Sequence, residues 1–268
     1  MQNKNIAIIG GGNLGTAIAE GLIISGEVEA SRLYVTRRRK EMLLRLQEKG
    51  VHTGSDNLVA VRASDIIILA VKPYQVIEIL KSLVPELKGD KILISLVAGV
   101  DLKELNTVVP SGMPLFRAMP NTAIALQESM TLLSSNGSGE AHKQEVTDLF
   151  NKMGKTAFIP DELMAAATVL ASCGIAYALR YIRAAMQGGV EIGFGAELAQ
   201  FITAQTVLGA AKLVLETGNH PEKEIDKVTT PRGVTITGLN EMENKGFSAS
   251  LIQGILASYK KIEKLENP

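Results

Sequence analysis

At 268 residues the chain is long enough for one large domain or two ordinary ones, each with its own core. Its 28 basic and 28 acidic side chains cancel, which argues against nucleic acid or an anionic membrane as a partner and confines any anion site to local structure. One cysteine, Cys173, rules out an intramolecular disulfide framework and fits a reducing cytoplasm; no signal segment is expected, and no apolar run reaches the roughly 20 residues of a bilayer span.

The first expected element is a strand, Ile6-Ala7-Ile8-Ile9, which breaks into Gly10-Gly11-Gly12-Asn13-Leu14-Gly15. From Asn13 to about Ser25, Leu14, Ala17, Ile18, Gly21 and Leu22 recur at helical spacing, so the glycines join strand to helix. A dinucleotide pyrophosphate needs this arrangement. Gly10 makes the tight turn, Gly12 lets the backbone approach the phosphates, and Gly15 lets helix and strand pack closely. The helix start then offers unpaired N–H groups to the anion. A plain flexible turn is the competing reading.

Further buried strands are expected at 33–36, 66–70, 92–96, 115–118 and 130–133, alternating with helices at 41–50, 75–83 and 140–152. Such alternation predicts an α/β fold with a mostly parallel sheet, a Rossmann-type dinucleotide-binding domain over residues 1–160. Beyond Pro160 the texture turns to Ala, Leu, Met and Gln at helical spacing. An all-α dimerisation and substrate domain is expected over 161–268, with helices at 162–187, 196–217, 231–244 and 248–265 and a kink near Gly174. The run Ala165, Ala166, Ala167, Val169, Leu170, Ala171 predicts a helix buried on several sides, which a homodimer would cover.

Where an NAD-binding unit carries an acid on the ribose, about 20 residues past the last glycine, this chain has Thr36-Arg37-Arg38-Arg39. Arginines there can pair with a 2′-phosphate, so NADP(H) is the expected cofactor, with NAD(H) as the lesser option. Two later strand ends, Ala70-Val71-Lys72-Pro73 and Leu96-Val97-Ala98, are expected on the same sheet edge beside the cofactor. Lys72 is a candidate to orient cofactor or substrate, against a simple solvated strand end. His52, His142 and His220 lack metal-site or nucleophile-base spacing and read as surface residues; no metal is expected. Cys173 reads as a packing residue.

The glycine motif, Ala70 to Pro73, Ala98-Gly99-Val100, Arg117-Ala118-Met119-Pro120-Asn121 and Thr229-Thr230-Pro231-Arg232-Gly233-Val234-Thr235-Ile236-Thr237-Gly238-Leu239 together resemble the pyrroline-5-carboxylate reductase family, in that family's order along essentially the whole chain. The resemblance implies NAD(P)H-dependent reduction of 1-pyrroline-5-carboxylate to L-proline by a Rossmann domain followed by a helical dimerisation domain, with dimers that often assemble into rings. It places Gly10, Gly12, Asn13, Leu14 and Gly15 on the pyrophosphate, and Arg37 and Asn57 at the adenosine ribose. Ala70, Val71, Lys72, Pro73, Leu96, Val97 and Ala98 then run toward the nicotinamide. Val234 and Thr235 match the substrate-carboxylate loop. Two departures stand out. Arg232 occupies a position the family usually gives to glycine, and Ile175 one it usually gives to proline.

The chemistry suits these residues. A cyclic imine that enters protonated needs mainly positioning, and Gly233, Val234 and Thr235 at a helix start can hold its carboxylate through N–H groups and a hydroxyl. Pro231 is expected in the first helical turn, with Thr230 as the competing cap. Tyr177 is expected either in the dimer core or facing a cleft. The alternatives are a reductase of another cyclic imine acid and a non-catalytic NADP-binding scaffold.

Overall fold

The computed structural model describes residues 4–266. Contacts divide the chain into two compact units, Met1–Cys173 with Ser258–Pro268, and Gly174–Ala257. The change of texture at Pro160 marks the end of the strands, while the compact units divide later, at Cys173.

The first unit is built on one eight-stranded sheet of order β3-β2-β1-β4-β5-β6-β7-β8. In chain order it comprises β1 (Ile6–Ile9), α1 (Asn13–Ile24), β2 (Leu33–Thr36), α2 (Leu44–Glu48), β3 (His52–Gly54), α3 (Asn57–Arg62), β4 (Ile66–Leu69) and α4 (Pro73–Leu83). There follow β5 (Ile92–Ser95), α5 (Leu102–Asn106), β6 (Leu115–Met119), β7 (Ser129–Ser135), α6 (Glu140–Asn151), β8 (Gly154–Phe158) and α7 (Met164–Ala167). Every pairing is parallel except β6 with β7.

Strands β1, β4 and β5 are buried at every residue, because helices cover both faces and no side chain meets water. One face packs Ile6, Ile8, Ile66 and Ile68 against Ile18 and Leu22 of α1 and Phe150 of α6. The other packs Ala7, Ile9, Ile67 and Leu69 against Val61, Val76 and Leu80 of α3 and α4. The chain leaves β1 toward β2 on one side and returns to β4 on the other. The crevice at that reversal, beyond the carboxyl ends of the strands, is where open sheets of this kind bind ligands.

Several expectations need correction. The helix expected at 41–50 is a 3-10 turn, Lys40–Leu43, followed by α2 alone. Two edge strands, β3 and β8, and the short helices α3 and α5 were not expected. The strand expected at 130–133 is longer and runs antiparallel to β6.

The single helix expected at 162–187 is interrupted. A 3-10 turn, Asp161–Leu163, leads into α7, then a π-helical stretch, Thr168–Cys173, precedes α8 (Gly174–Glu191). Burial on several sides holds for Met164, Ala165, Ala167 and Val169, whereas Leu170 is exposed.

The second unit contains α8, α9 (Ala196–Thr217), α10 (Pro221–Lys227), α11 (Val234–Asn244) and the start of α12 (Phe247–Glu266). Helices α8 and α9 pack on each other, and Tyr181 meets Phe247 edge-on at 6.3 Å. Most of their apolar surface is uncovered within one chain, and Ala199 is the buried residue of α9. No uninterrupted apolar run reaches the length of a bilayer span, yet Asp161–Glu191 and Ala196–Thr217 each hold an 18-residue window with the mean hydropathy of one, 1.6 and 1.4. Small and polar residues, among them Thr168, Ser172, Gly174, Gln200, Gln205 and Lys212, interrupt the apolar runs.

Candidate active site

The parallel strands β1 to β6 deliver five of the expected segments to one sheet edge. Gly10 and Gly11 both donate to the Thr36 carbonyl, at 3.1 and 2.7 Å, so the end of β2 fixes the start of the glycine loop. Gly10 has φ +111°, and a side chain there would strike the Ala70 carbonyl at 2.5 Å. A Cβ on Gly15 would lie 2.2 Å from the Gly10 carbonyl, so α1 sits against the loop as closely as glycine permits. Gly12 differs from both, because a Cβ there would meet nothing within 4 Å. It is also the N-cap of α1, without a side-chain cap, and the first N–H groups of a helix have no intrahelical acceptor. Open space in front of a backbone rich in free donors fits a pyrophosphate. Asn13 is exposed and Leu14 half-buried at this helix start.

Arg37 follows β2 and is half-buried. Its Nη1 donates to the Gly11 carbonyl at 2.9 Å and its backbone N–H to the Gly54 carbonyl at 2.9 Å. The guanidinium is thereby held beside the glycine loop with further N–H groups to offer a phosphate. Arg38 and Arg39 are exposed. Asn57, at the start of α3, accepts the Thr36 hydroxyl at 2.7 Å, which leaves its amide nitrogen as a donor at the same strand end. Ala70 is tied to β1 by its N–H to the Ile9 carbonyl at 2.8 Å, and Leu96 to β4 through the Leu69 carbonyl at 2.9 Å. Val71 and Ala98 are half-buried and Val97 is buried. Pro73 opens α4, and Lys72 is its exposed N-cap.

The Arg117 to Asn121 block has a structural anchor that the sequence did not reveal. Arg117 lies in the middle of β6, 1% exposed, and its Nη1 reaches Asp161 Oδ1 at 3.0 Å. The same oxygen accepts Ser134 Oγ at 2.7 Å, and Oδ2 accepts the Leu102 N–H at 2.9 Å. One carboxylate therefore ties β6, β7 and α5 together. An arginine inside an otherwise apolar strand is the signal that could have found it, since a buried cation requires a carboxylate. Asn121 donates to the Ala171 carbonyl in the π-helical stretch at 3.2 Å. A nearby apolar groove of about 500 Å³, lined by Met130, Leu132, Ile159, Leu163 and Leu170, carries no titratable side chain.

In the second unit, the residues expected at the substrate carboxylate form a turn and a helix start. Gly233 donates to the Thr230 carbonyl at 2.8 Å, and Arg232 has φ +60°. With Pro231 before it, this is a type II turn, Thr230 to Gly233. Helix α11 begins at Val234 with Gly233 as an N-cap that makes no side-chain hydrogen bond. Pro231 is thus a turn residue and not part of the first helical turn, and Thr230 is not the cap. Its side chain instead covers Gly233, where an added Cβ would approach Thr230 Oγ1 to 2.6 Å. Val234 and Thr235 are exposed at the helix start, and Thr237 Oγ1 donates back to the Gly233 carbonyl at 3.2 Å.

The remaining candidates have local roles. His52 stacks on Tyr34 at 4.6 Å, and His220 Nδ1 accepts the Glu222 N–H at 3.3 Å to cap α10. Among the described residues no cluster of metal-ligating side chains forms. Cys173 is half-buried at the end of the π-helical stretch.

A 3-2-1-4-5-6 parallel core with a glycine-rich first turn, joined to an all-helical unit, defines a nicotinamide-dependent oxidoreductase of the Rossmann class. The comparisons specify it. Residues 5–99 match the family model "NADP oxidoreductase coenzyme F420-dependent", and residues 161–265 match "Pyrroline-5-carboxylate reductase dimerisation". Pyrroline-5-carboxylate reductase 2 of Dictyostelium discoideum is 43% identical over 98% of this chain and 93% of its own length. The reductase of Methanosarcina acetivorans is 35% identical over 99% of both. The chain spans about half of the longer reductase 1 of D. discoideum, at 40% identity. The solved pyrroline carboxylate reductase of Plasmodium falciparum, with NADP bound, superposes with a TM-score of 0.91 at 27% identity over 99% of each chain. The chain belongs to the pyrroline-5-carboxylate reductase family.

Proposed function

We propose that the protein reduces 1-pyrroline-5-carboxylate to L-proline with NADPH. The observation that carries this is the near full-length match to reductases of that name, combined with the family-specific block from Thr229 to Leu239. The bound cofactor supplies the hydride. Gly10, Gly12, Asn13, Leu14 and Gly15 hold its pyrophosphate on the N–H groups at the start of α1. Arg37 holds the 2′-phosphate from its anchor on the Gly11 carbonyl, and Asn57 the adenosine ribose. The backbones of Ala70, Val71, Lys72, Pro73, Leu96, Val97 and Ala98 flank the nicotinamide, and Lys72 orients the ligand at the strand end.

Gly233, Val234 and Thr235 hold the substrate carboxylate through the free N–H groups of α11 and the Thr235 hydroxyl. An imine that enters protonated already carries the charge that attracts a hydride, so these residues contribute chiefly orientation. The apolar helices 161–265 support homo-oligomerisation, and we extend this to a homodimer able to assemble into a ring. A cytoplasmic location is supported by the single, unpaired cysteine.

The test is a substrate panel with NADPH and NADH in parallel, followed by absorbance of the reduced cofactor. Oxidation of NADPH with the cyclic imine, none with matched 2-oxo acids, and a higher specificity constant for the five-membered than the six-membered ring are expected. No turnover at micromolar enzyme would sink the proposal.

A further inference from the structure

The type II turn before α11 demands a left-handed residue at its third position, a place that favours glycine or asparagine. This chain puts Arg232 there, at φ +60°. The side chain does not earn that position by packing, since it is exposed and makes no hydrogen bond or ion pair among the described residues. Its neighbours along the chain are uncharged as well. Between Lys227 and Glu241 it is the one charged residue in the sequence, and those two are engaged, Lys227 with Glu224 at 2.7 Å and Glu241 with Lys245 at 3.5 Å. An exposed guanidinium with no hydrogen bond or ion pair among the described residues therefore stands two residues before the exposed start of α11.

We propose that Arg232 is a specificity-determining residue that selects the anionic carboxylate of the substrate by charge, an inference that rests on the reading of Gly233 to Thr235 as the carboxylate site. The backbone N–H groups and the Thr235 hydroxyl supply directional bonds. The guanidinium supplies a field that favours any ligand carrying an anion at this helix start and disfavours a cation without one. The same five-membered imine lacking its carboxylate is such a cation when protonated.

The experiment compares Arg232→Asn, which tolerates the left-handed backbone without charge, and Arg232→Lys, which keeps the charge, using the assembled enzyme and NADPH. For a guanidinium about 6 Å from the carboxylate in a solvated setting, Arg232→Asn should raise KM for the carboxylated imine roughly three- to tenfold, with kcat within about twofold. The difference should vanish near 1 M salt, where the screening length falls to about 3 Å. Preference for the carboxylated over the decarboxylated imine should fall in Arg232→Asn and persist in Arg232→Lys. An unaltered thermal midpoint in Arg232→Asn separates these effects from unfolding. Thr235→Val is the control on the underlying reading. A raised KM in Thr235→Val beside an unchanged KM in Arg232→Asn at low salt overturns the inference alone, whereas an unchanged KM in Thr235→Val overturns the carboxylate site and the inference with it.

Discussion

Deleting the Asp161 carboxylate tests how the first unit secures its strand ends. The group accepts Arg117 at 3.0 Å, Ser134 at 2.7 Å and the Leu102 N–H at 2.9 Å. Removing one partner of a buried ion pair costs about 3–5 kcal/mol, because the other charge stays desolvated. The Arg117 side chain is 2% exposed, but it keeps a further interaction and Asp161 is 19% exposed and admits water, so the lower end applies. The Ser134 hydroxyl can rotate toward another acceptor and adds little. The Leu102 N–H, at the start of α5, adds about 1 kcal/mol. Asp161→Ala should therefore lose about 3–4 kcal/mol in urea denaturation, with an unchanged m-value, at fixed protomer concentration. The double variant Arg117→Met, Asp161→Ala should recover part of the loss, since no cation is left facing a missing carboxylate. A loss below about 1 kcal/mol, or a double variant as unstable as the sum of the singles, would refute the reasoning.

Three further outcomes are expected. Gly12→Ala should fold normally, because its Cβ enters open space, yet raise KM for NADPH; Gly15→Ala, with its Cβ 2.2 Å from the Gly10 carbonyl, should lose thermal stability as well, and equal melting of the two would contradict the packing described. Arg37→Ala should weaken NADPH about 10- to 100-fold while sparing NADH, the scale of a charge-assisted hydrogen bond, and an unchanged NADPH to NADH ratio in steady-state kinetics would transfer the role to Arg38 or Arg39. Contacts with Lys227, Asn219 and Thr217 hold the Glu224 carboxyl below the usual carboxylate range. A lowered folded pKa means that its stabilisation is present above the ordinary carboxylate value and lost as pH falls through the lowered one. Amide exchange across residues 217–228 should thus speed up in acid, beyond the intrinsic pH effect, in the wild type and not in Glu224→Gln.

What the sequence revealed follows from where each signal is stored. Strands β1, β4 and β5 were legible because burial on both faces demands uninterrupted apolar runs. Edge strands β3, His-Thr-Gly, and β8, Gly-Lys-Thr-Ala-Phe, answer to no such demand. Helices α3 and α5 have side-chain caps in Asp56 and Asp101, but five or six residues give too short a window for periodicity to register. In the site, the glycine loop between strand and helix and the arginine run Arg37 to Arg39 at the end of β2 were legible from spacing, whereas only the family resemblance singled out Arg37 among the three. The role of Asp161 was not, because its partner Arg117 lies 44 positions away. Pro231 was ambiguous in principle, since a fixed φ suits both a first helical turn and the second position of a type II turn, and only the backbone of Arg232 decides between them.

Helix α9 packs on α8 through one side, with Ala199 as its buried residue, and leaves most of its apolar side chains uncovered within one chain. Since residues 161–265 match a dimerisation family model, the folding of this helix is expected to depend on protomer concentration. Alleles that disrupt α9 are therefore expected to lower the amount of folded protein most at low expression, whereas an allele such as Gly12→Ala, whose Cβ meets open space, is expected to leave that amount unchanged.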